Sequence, residues 1–246
     1  GFKGASFLGK LFWTFLLIKM ENKMQNRLIA LGMLTALLGA GSAYADVGVA
    51  AGGGTTGAGL HLSVPILTRL NARVGVNALN YSYSGSTTDM NYDFKLKLQT
   101  ADLLLDWFPF NGAFRISAGA VYNGNKIEAK AKPNSSGKYT IQGATYDAST
   151  AGSINGRVDF RKAVPYFGIG WGNAVAKDKG WGFSTDLGAI FQGSPKTTLT
   201  NEGCTMSTAQ CSALAASLDA ENRDLQDKAN GFRTYPVIRF QVTYKF

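Results

Sequence analysis

The stretch from Pro236 to Phe246 constrains the fold more than any other part of the chain. In Pro-Val-Ile-Arg-Phe-Gln-Val-Thr-Tyr-Lys-Phe, positions 238, 240, 242, 244 and 246 are Ile, Phe, Val, Tyr and Phe, and Arg239, Gln241, Thr243 and Lys245 stand between them. Successive side chains of a strand point to opposite faces, so this alternation describes a strand with one apolar and one polar face. The pattern recurs. Phe114, Ile116, Ala118, Ala120 and Tyr122 alternate with Arg115, Ser117, Gly119, Val121 and Asn123. Phe167, Ile169 and Trp171 alternate with Gly168, Gly170 and Gly172. Trp181, Phe183, Leu187, Ala189 and Phe191 alternate with Gly182, Ser184, Asp186, Gly188 and Gln192. Leu70, Ala72, Val74 and Val76 alternate with Asn71, Arg73, Gly75 and Asn77.

The second face of these strands is Gly, Ser and Asn with isolated charges, and aromatics stand near the strand ends. A soluble sandwich turns its apolar face inward and places large polar residues outside. A face of small residues and scattered charges suits instead the cramped interior of a narrow barrel, with the apolar band outside and aromatic girdles at its edges. Such a barrel must close, because lipid cannot satisfy an open strand edge. Composition agrees: charged residues are 17% of the chain, against about 25% in soluble domains. No apolar run reaches the roughly 20 residues of a spanning helix. Low charge with 12% aromatics argues against disorder.

From Met20 the sequence reads MENKMQNRLIALGMLTALLGAGSAYA. Lys23 and Arg27 form a basic start, Leu28 to Ala40 an apolar stretch, and Ala43-Tyr44-Ala45 a small-x-small cleavage pattern. Residues 20–45 therefore read as a signal peptide cleaved after Ala45, with Met20 or Met24 as the start. Residues 1–19 read as an upstream extension outside the fold, which leaves 46–246 as one barrel domain. Residues 1–45 carry Lys3, Lys10, Lys19, Lys23 and Arg27 against the single acid Glu21, so much of the formal +9 is targeting sequence. No basic run interleaved with aromatics remains, and nucleic acid is not an expected partner.

A signal peptide, alternating strands of roughly 10 residues and the terminal Tyr244-Lys245-Phe246 together resemble the small outer-membrane β-barrels of Gram-negative bacteria. OmpA-type, OmpX-type and OmpW-type barrels are the nearest comparisons, and the likeness covers about 46–246. It implies an all-β, antiparallel up-and-down transmembrane barrel in the bacterial outer membrane, with both termini periplasmic. It also implies outer-membrane lipid and lipopolysaccharide as surroundings, and a barrel-assembly machinery that reads Phe240, Val242, Tyr244 and Phe246 as its signal.

Eight strands are expected at about 46–53, 57–65, 69–83, 90–107, 113–128, 157–173, 180–193 and 232–246. The glycine-rich pair 46–53 and 57–65 also reads as one bent strand, and a hairpin holding Tyr139 and Ile141 would bring the count to ten. Turns at Pro65–Thr68, Pro109–Gly112 and Ala176–Lys179 fall on the periplasmic side, and the long connections 129–156 and 194–231 fall outside. Apolar positions are even through Leu98 and odd at Leu103, Leu105 and Trp107, while Val74 and Val76 give way to Leu79, Tyr81 and Tyr83. Either a bulge shifts the register or the upper part of each strand has left the membrane.

Cys204 and Cys211 lie close together in the longest connection, and an oxidising compartment would join them as a disulfide. Beyond them a helix is expected, with Leu214, Leu218 and Leu225 near one face. Ser207 with Gln210 resembles a capping box, and Gly231 suits the stop. The helix is placed over the extracellular mouth.

The remaining motifs are weak. Gly168-Ile169-Gly170-Trp171-Gly172 resembles a phosphate loop but occupies a strand face. Asp89-x-Asn91-x-Asp93 resembles a calcium loop with Phe94 where glycine should stand. His61, the only histidine, points inward with Ser63. The charges Arg73, Asp93, Lys95, Lys97, Asp102, Asp106, Arg115, Asp186 and Arg239 are read as a lumen network, since charges of both signs must pair when buried. No cofactor, metal or catalytic residue is implied. A structural or surface-interaction barrel leads, ahead of a narrow channel for small polar or amphipathic solutes and a lipid-modifying enzyme.

Overall fold

The computed structural model describes residues 46–86, 91–175 and 179–246, so the expected signal peptide and upstream extension lie outside the described residues. In chain order the strands are β1 (Gly48–Gly54), β2 (Gly57–Leu67), β3 (Leu70–Ser86), β4 (Asn91–Trp107), β5 (Phe114–Asn123), β6 (Lys126–Lys132), β7 (Lys138–Ile141) and β8 (Ala144–Asp147). A single helical turn, α1 (Ala148–Ala151), leads to β9 (Ser153–Asp159), β10 (Ala163–Trp171), β11 (Gly180–Phe191) and β12 (Lys196–Glu202). Helix α2 (Thr208–Ala229) then precedes β13 (Thr234–Lys245).

Among the described residues, eight strands form a closed antiparallel ring. It runs β1-β2-β3-β4-β5-β10-β11-β13 and returns to β1, where Gly48 faces Lys245 and Gly54 faces Arg239. The glycine-rich opening is two strands, joined where Gly54 faces Gly57. The hairpin of Tyr139 and Ile141 pairs β7 with β8 as a separate two-stranded sheet and does not enter the ring.

Alternation sets inside and outside. On β13, Ile238, Phe240 and Val242 are exposed, while Val237, Arg239, Gln241, Thr243 and Lys245 are buried. Phe183, Phe167, Trp171, Leu187, Leu103, Leu105 and Val74 are also exposed, Phe183 by 80%. Exposed apolar patches on soluble monomers rarely exceed a few hundred Å², and this one runs around the ring.

The ring has one raised side. Thr100 faces Asn123 and Lys97 faces Lys126, the same register, so β6 continues β5 past a break at Gly124–Asn125. There the Asn125 side-chain oxygen accepts the Gln99 N–H at 2.9 Å. β9 likewise runs on into β10, with Lys126 facing Asp159 and Ala163 facing Tyr122. β12 extends the wall beside β9. β3, β4, β6, β9 and β12 therefore form a five-stranded extension above one side of the barrel.

That extension accounts for the change of parity. β3 and β4 pair without a shift from Leu70–Trp107 to Ser86–Asn91, so no bulge is present. The backbone keeps its phase and the apolar residues change face. Low on the wall, Val74, Val76, Leu103 and Leu105 point outward; higher up, Leu79, Tyr81, Tyr83 and Leu98 share the inward face with Arg73 and Asp102.

The inward face of the extension carries its own core. Ala131 and Ile154 pack with Tyr139 and Ile141 of the hairpin, Ala151 of α1, and Leu214 and Leu218 of α2. Ser207 and Gln210 cap α2 reciprocally. Cys204 and Cys211 are joined. Because this core is built by strands and helix rather than by the disulfide, a Cys204→Ser/Cys211→Ser variant should keep the barrel. It should loosen the loop by about 2–3 kcal/mol in the chain-entropy model. Proteolysis of the loop should speed up while the heat-modifiable gel shift persists; loss of the shift would refute the independence.

Candidate functional site

The inward faces meet in a lumen filled by two ionic groups and an apolar cluster. In the first group, Arg73 on β3 donates to both Asp186 oxygens on β11, at 2.7 and 3.1 Å, and to Asp106 on β4 at 3.0 Å. Arg115 on β5 donates to Asp186 at 2.8 Å, and to the carbonyls of Thr185 and Gly172. Ser117 closes the group by donating to Asp106 at 2.5 Å. Two guanidiniums thus face two carboxylates. This is what burial requires, since an unpaired charge in such a site would cost several kcal/mol.

The second group centres on Asp102. Arg239 donates to it at 3.1 Å, Asn77 at 3.0 Å, and His61 Nε2 lies 3.4 Å away. The other His61 nitrogen stands 2.6 Å from the Gln241 amide. Arg239 also reaches Thr56 at 3.2 Å and lies over the Tyr166 ring, 5.9 Å from its centroid. Tyr166 belongs to the third group, with Leu104, Val121, Val164, Ile190 and Val237.

Glycines make room for these large side chains. A Cβ on Gly75 would fall 2.0 Å from His61 Cδ2, and one on Gly168 or Gly188 would fall 2.5 Å from the Tyr166 hydroxyl. The small residues that read as a narrow interior are thus the counterpart of the bulky ones opposite. One cavity of about 10 Å³ lies beside Ser63, Arg73, Asp106 and Arg115.

Arg73, Asp102, Asp106, Arg115, Asp186 and Arg239 all lie in this lumen. Lys95 and Lys97, with Asp93, do not: they stand on the outward face of β4, where Lys97 pairs with Glu128 at 2.7 Å and Asp93 with Lys132 at 2.8 Å. The reason is the change of face described above. In the extension the outward side is polar, so a polar residue there signals water rather than lumen. Asp89 lies outside the described residues. Gly168 and Gly170 sit on the lumen side of β10, and the next described element is the strand β11; of the turn expected at Ala176–Lys179, residues 176–178 lie outside the described residues. Gln241, Asn77, Ser117 and Tyr166 were not legible as members; alternation places them inward, but nothing local says which charge they meet, and Thr56 lies in the β1–β2 turn, outside any alternation.

No protein-family model and no curated protein matches the chain. Solved structures do. CarO2 of Acinetobacter baumannii superposes with a TM-score of 0.52 at 22% identity, covering 82% of this chain and 98% of that one. CarO of Acinetobacter baumannii gives 0.52 at 20% identity with the same coverage. The fold is CarO-like. At this identity the likeness concerns the path of the backbone, and the lumen residues must be read from their own geometry.

On the outer surface, Phe240, Val242, Tyr244 and Phe246 share the outward side of β13 and its end. Tyr244 stands between Trp181 and Phe246, with ring centroids 5.0 and 4.9 Å away in edge-on contacts. Phe114 and Trp171 make a similar contact at 4.8 Å. These rings lie at the end of the barrel opposite the raised wall.

Proposed function

We propose that the chain is an outer-membrane barrel without catalytic activity and without a standing aqueous pore, which holds the raised wall and α2 outside the cell. The filled lumen carries this reading. An eight-stranded ring is just wide enough for side chains to fill it, and the two ionic groups and the apolar cluster occupy its inward faces. The apolar outer band and its aromatic rows support a bilayer setting. The short β2–β3 and β4–β5 connections at one end and the raised wall at the other support a periplasmic and an extracellular end respectively. His61 is held in the lumen by Asp102 and Gln241, away from any acyl chain on the outer wall, which argues against a lipid-modifying role.

Planar-bilayer recording of the purified, refolded protein tests the reading. No discrete conductance steps are expected; stable steps whose number scales with added protein would overturn it in favour of a narrow channel. The assembly signal has its own test. Deleting Phe246 removes the last ring of the Trp181–Tyr244–Phe246 row, and the amount of heat-modifiable barrel in outer-membrane fractions should fall severalfold. Unchanged amounts would count against the signal.

A further inference from the structure

The buried charges of the lumen balance, and one residue can upset that balance. Among the described residues, Arg73, Arg115 and Arg239 stand there with Asp102, Asp106 and Asp186, three guanidiniums against three carboxylates. Lys245 is also buried, but at the end of β13, where Asp46 meets it at 2.8 Å. His61, the only histidine of the chain, is buried inside this neutral set. As the groups stand, its uncharged ring is satisfied at both nitrogens. Nε2–H donates toward Asp102 at 3.4 Å, and Nδ1 accepts from the Gln241 amide nitrogen at 2.6 Å. The Gln241 oxygen in turn accepts from the Ser184 hydroxyl. Of the strands around the ring, β1 brings no titratable group and β2 none besides His61. β4 brings Asp102, β13 Arg239, β10 the phenol Tyr166, and β3 Arg73, whose charge also reaches Asp102.

A second proton on this ring has nowhere good to go. Nδ1–H would point at an amide nitrogen that is itself a donor, so Gln241 would have to turn over and give up Ser184. The new charge would stand 3.4 Å from the Arg239 guanidinium. Asp102, already met by Arg239 at 3.1 Å and by Asn77 at 3.0 Å, would be one carboxylate for two cations. Asp106 and Asp186 are taken by Arg73 and Arg115. The ring cannot swing aside on the β3 side, where Gly75 lies against it. An uncompensated charge in such surroundings is costly. Arg239 is the group that must give way, and it does more than pair with Asp102. It faces Gly54 where β13 closes onto β1, donates to Thr56 of the β1–β2 turn at 3.2 Å, and covers the Tyr166 ring.

We propose that His61 is a proton switch on the closure of the barrel. Neutral, it leaves Arg239 bound to Asp102 and Thr56 across the β1–β13 seam. Protonated, it takes Asp102 for itself, drives Arg239 away and slackens the seam. The sign follows from where the proton is welcome. An unfolded chain protonates its histidine near pH 6.5, while the folded lumen resists the extra charge, so the unfolded state binds more protons in mild acid. Stability is then full above about pH 7 and is lost as the pH falls through 6.

Urea unfolding of the vesicle-inserted protein at pH 7.5 and pH 5.5 tests the switch. The folded-to-unfolded ratio of the wild type should fall about tenfold between them. His61→Gln, which keeps a polar side chain and cannot take the proton, should show no such fall. Should that variant fail to assemble, amide hydrogen exchange of the wild type, corrected for the intrinsic effect of pH, decides by itself. The amides of Thr55, Thr56 and Ile238 to Phe240 should then exchange faster at pH 5.5, measured against those of β6 and β9 in the raised wall. A wild-type ratio that stays level or rises in acid overturns the proposal. So does an equal fall in His61→Gln, which would place the titrating group elsewhere, and so does seam exchange that keeps pace with the wall. Each of these leaves the membrane-barrel reading standing.

Discussion

Replacing Asp186 by alanine should destabilise the barrel by about 3–5 kcal/mol, the range for removing one partner of a buried ion pair. Arg73 and Arg115 both donate to this carboxylate, and its side chain is fully buried. Without it two guanidiniums would share Asp106, which Arg73 meets at 2.9 Å and Arg115 only at 3.8 Å. Arg115 would keep its backbone carbonyls but lose its counter-charge. Asp186→Asn, which keeps the shape and removes the charge, should fall between wild type and alanine. Urea unfolding of vesicle-inserted protein, followed by tryptophan fluorescence, gives the comparison. A midpoint equivalent to less than about 0.5 kcal/mol of change, the range of an ordinary surface substitution, would mean that the lumen pairs do not hold the ring.

Ile169→Arg should cost about 2–4 kcal/mol, the penalty for a base on the lipid side of a barrel at the midplane. Ile169 lies on the outward face of β10 between Phe167 and Trp171, which are 55% and 56% exposed. Thr198→Arg is the matched control: it is also outward and exposed, but on the raised wall, and should be nearly neutral. If the two variants unfold alike, the outer band is not in lipid. The adjacent Gly170→Ser looks mild from the sequence, since the lumen face accepts a hydroxyl. The structure revises that expectation. A Cβ at position 170 would lie 2.6 Å from the Thr185 carbonyl oxygen and 2.9 Å from Arg115 Cζ. The carbonyl is backbone and cannot swing away, and displacing Arg115 weakens its grip on Asp186. Gly170→Ser should therefore destabilise measurably in the same assay.

Why some residues were legible and others were not follows from the range of the forces involved. Arg239, Arg115 and Asp186 announced their inward placement because each sits in a strict alternation within a single strand. His61 announced its direction by the same rule. Its partners Asp102 and Gln241 lie 41 and 180 residues away in the chain, and no local pattern connects them. Lys95 and Lys97 were misplaced because alternation reports only that two faces differ. In lipid the apolar face is the outer one, and in water it is the inner one. Along β3 and β4 the apolar residues change face without a break in the pairing, so the residue pattern inverts while the backbone does not.

The sequence by itself determined the class of the fold: period-two strands, an outer band of aromatics, a small-residue lumen face, the two cysteines in one connection and the capped helix after them. Those features are set by contacts between near neighbours and by the single choice of which face meets solvent. Tertiary structure alone decided the rest. Closing β1 onto β13 fixed which inward residues share a level, and so joined Arg73 to Asp186 and His61 to Asp102. The unbroken β3–β4 pairing raised one wall above the ring, and so carried Lys95 and Lys97 to its outside. Each of these depends on the stagger between strands far apart in sequence, a quantity that no alternation within one strand contains.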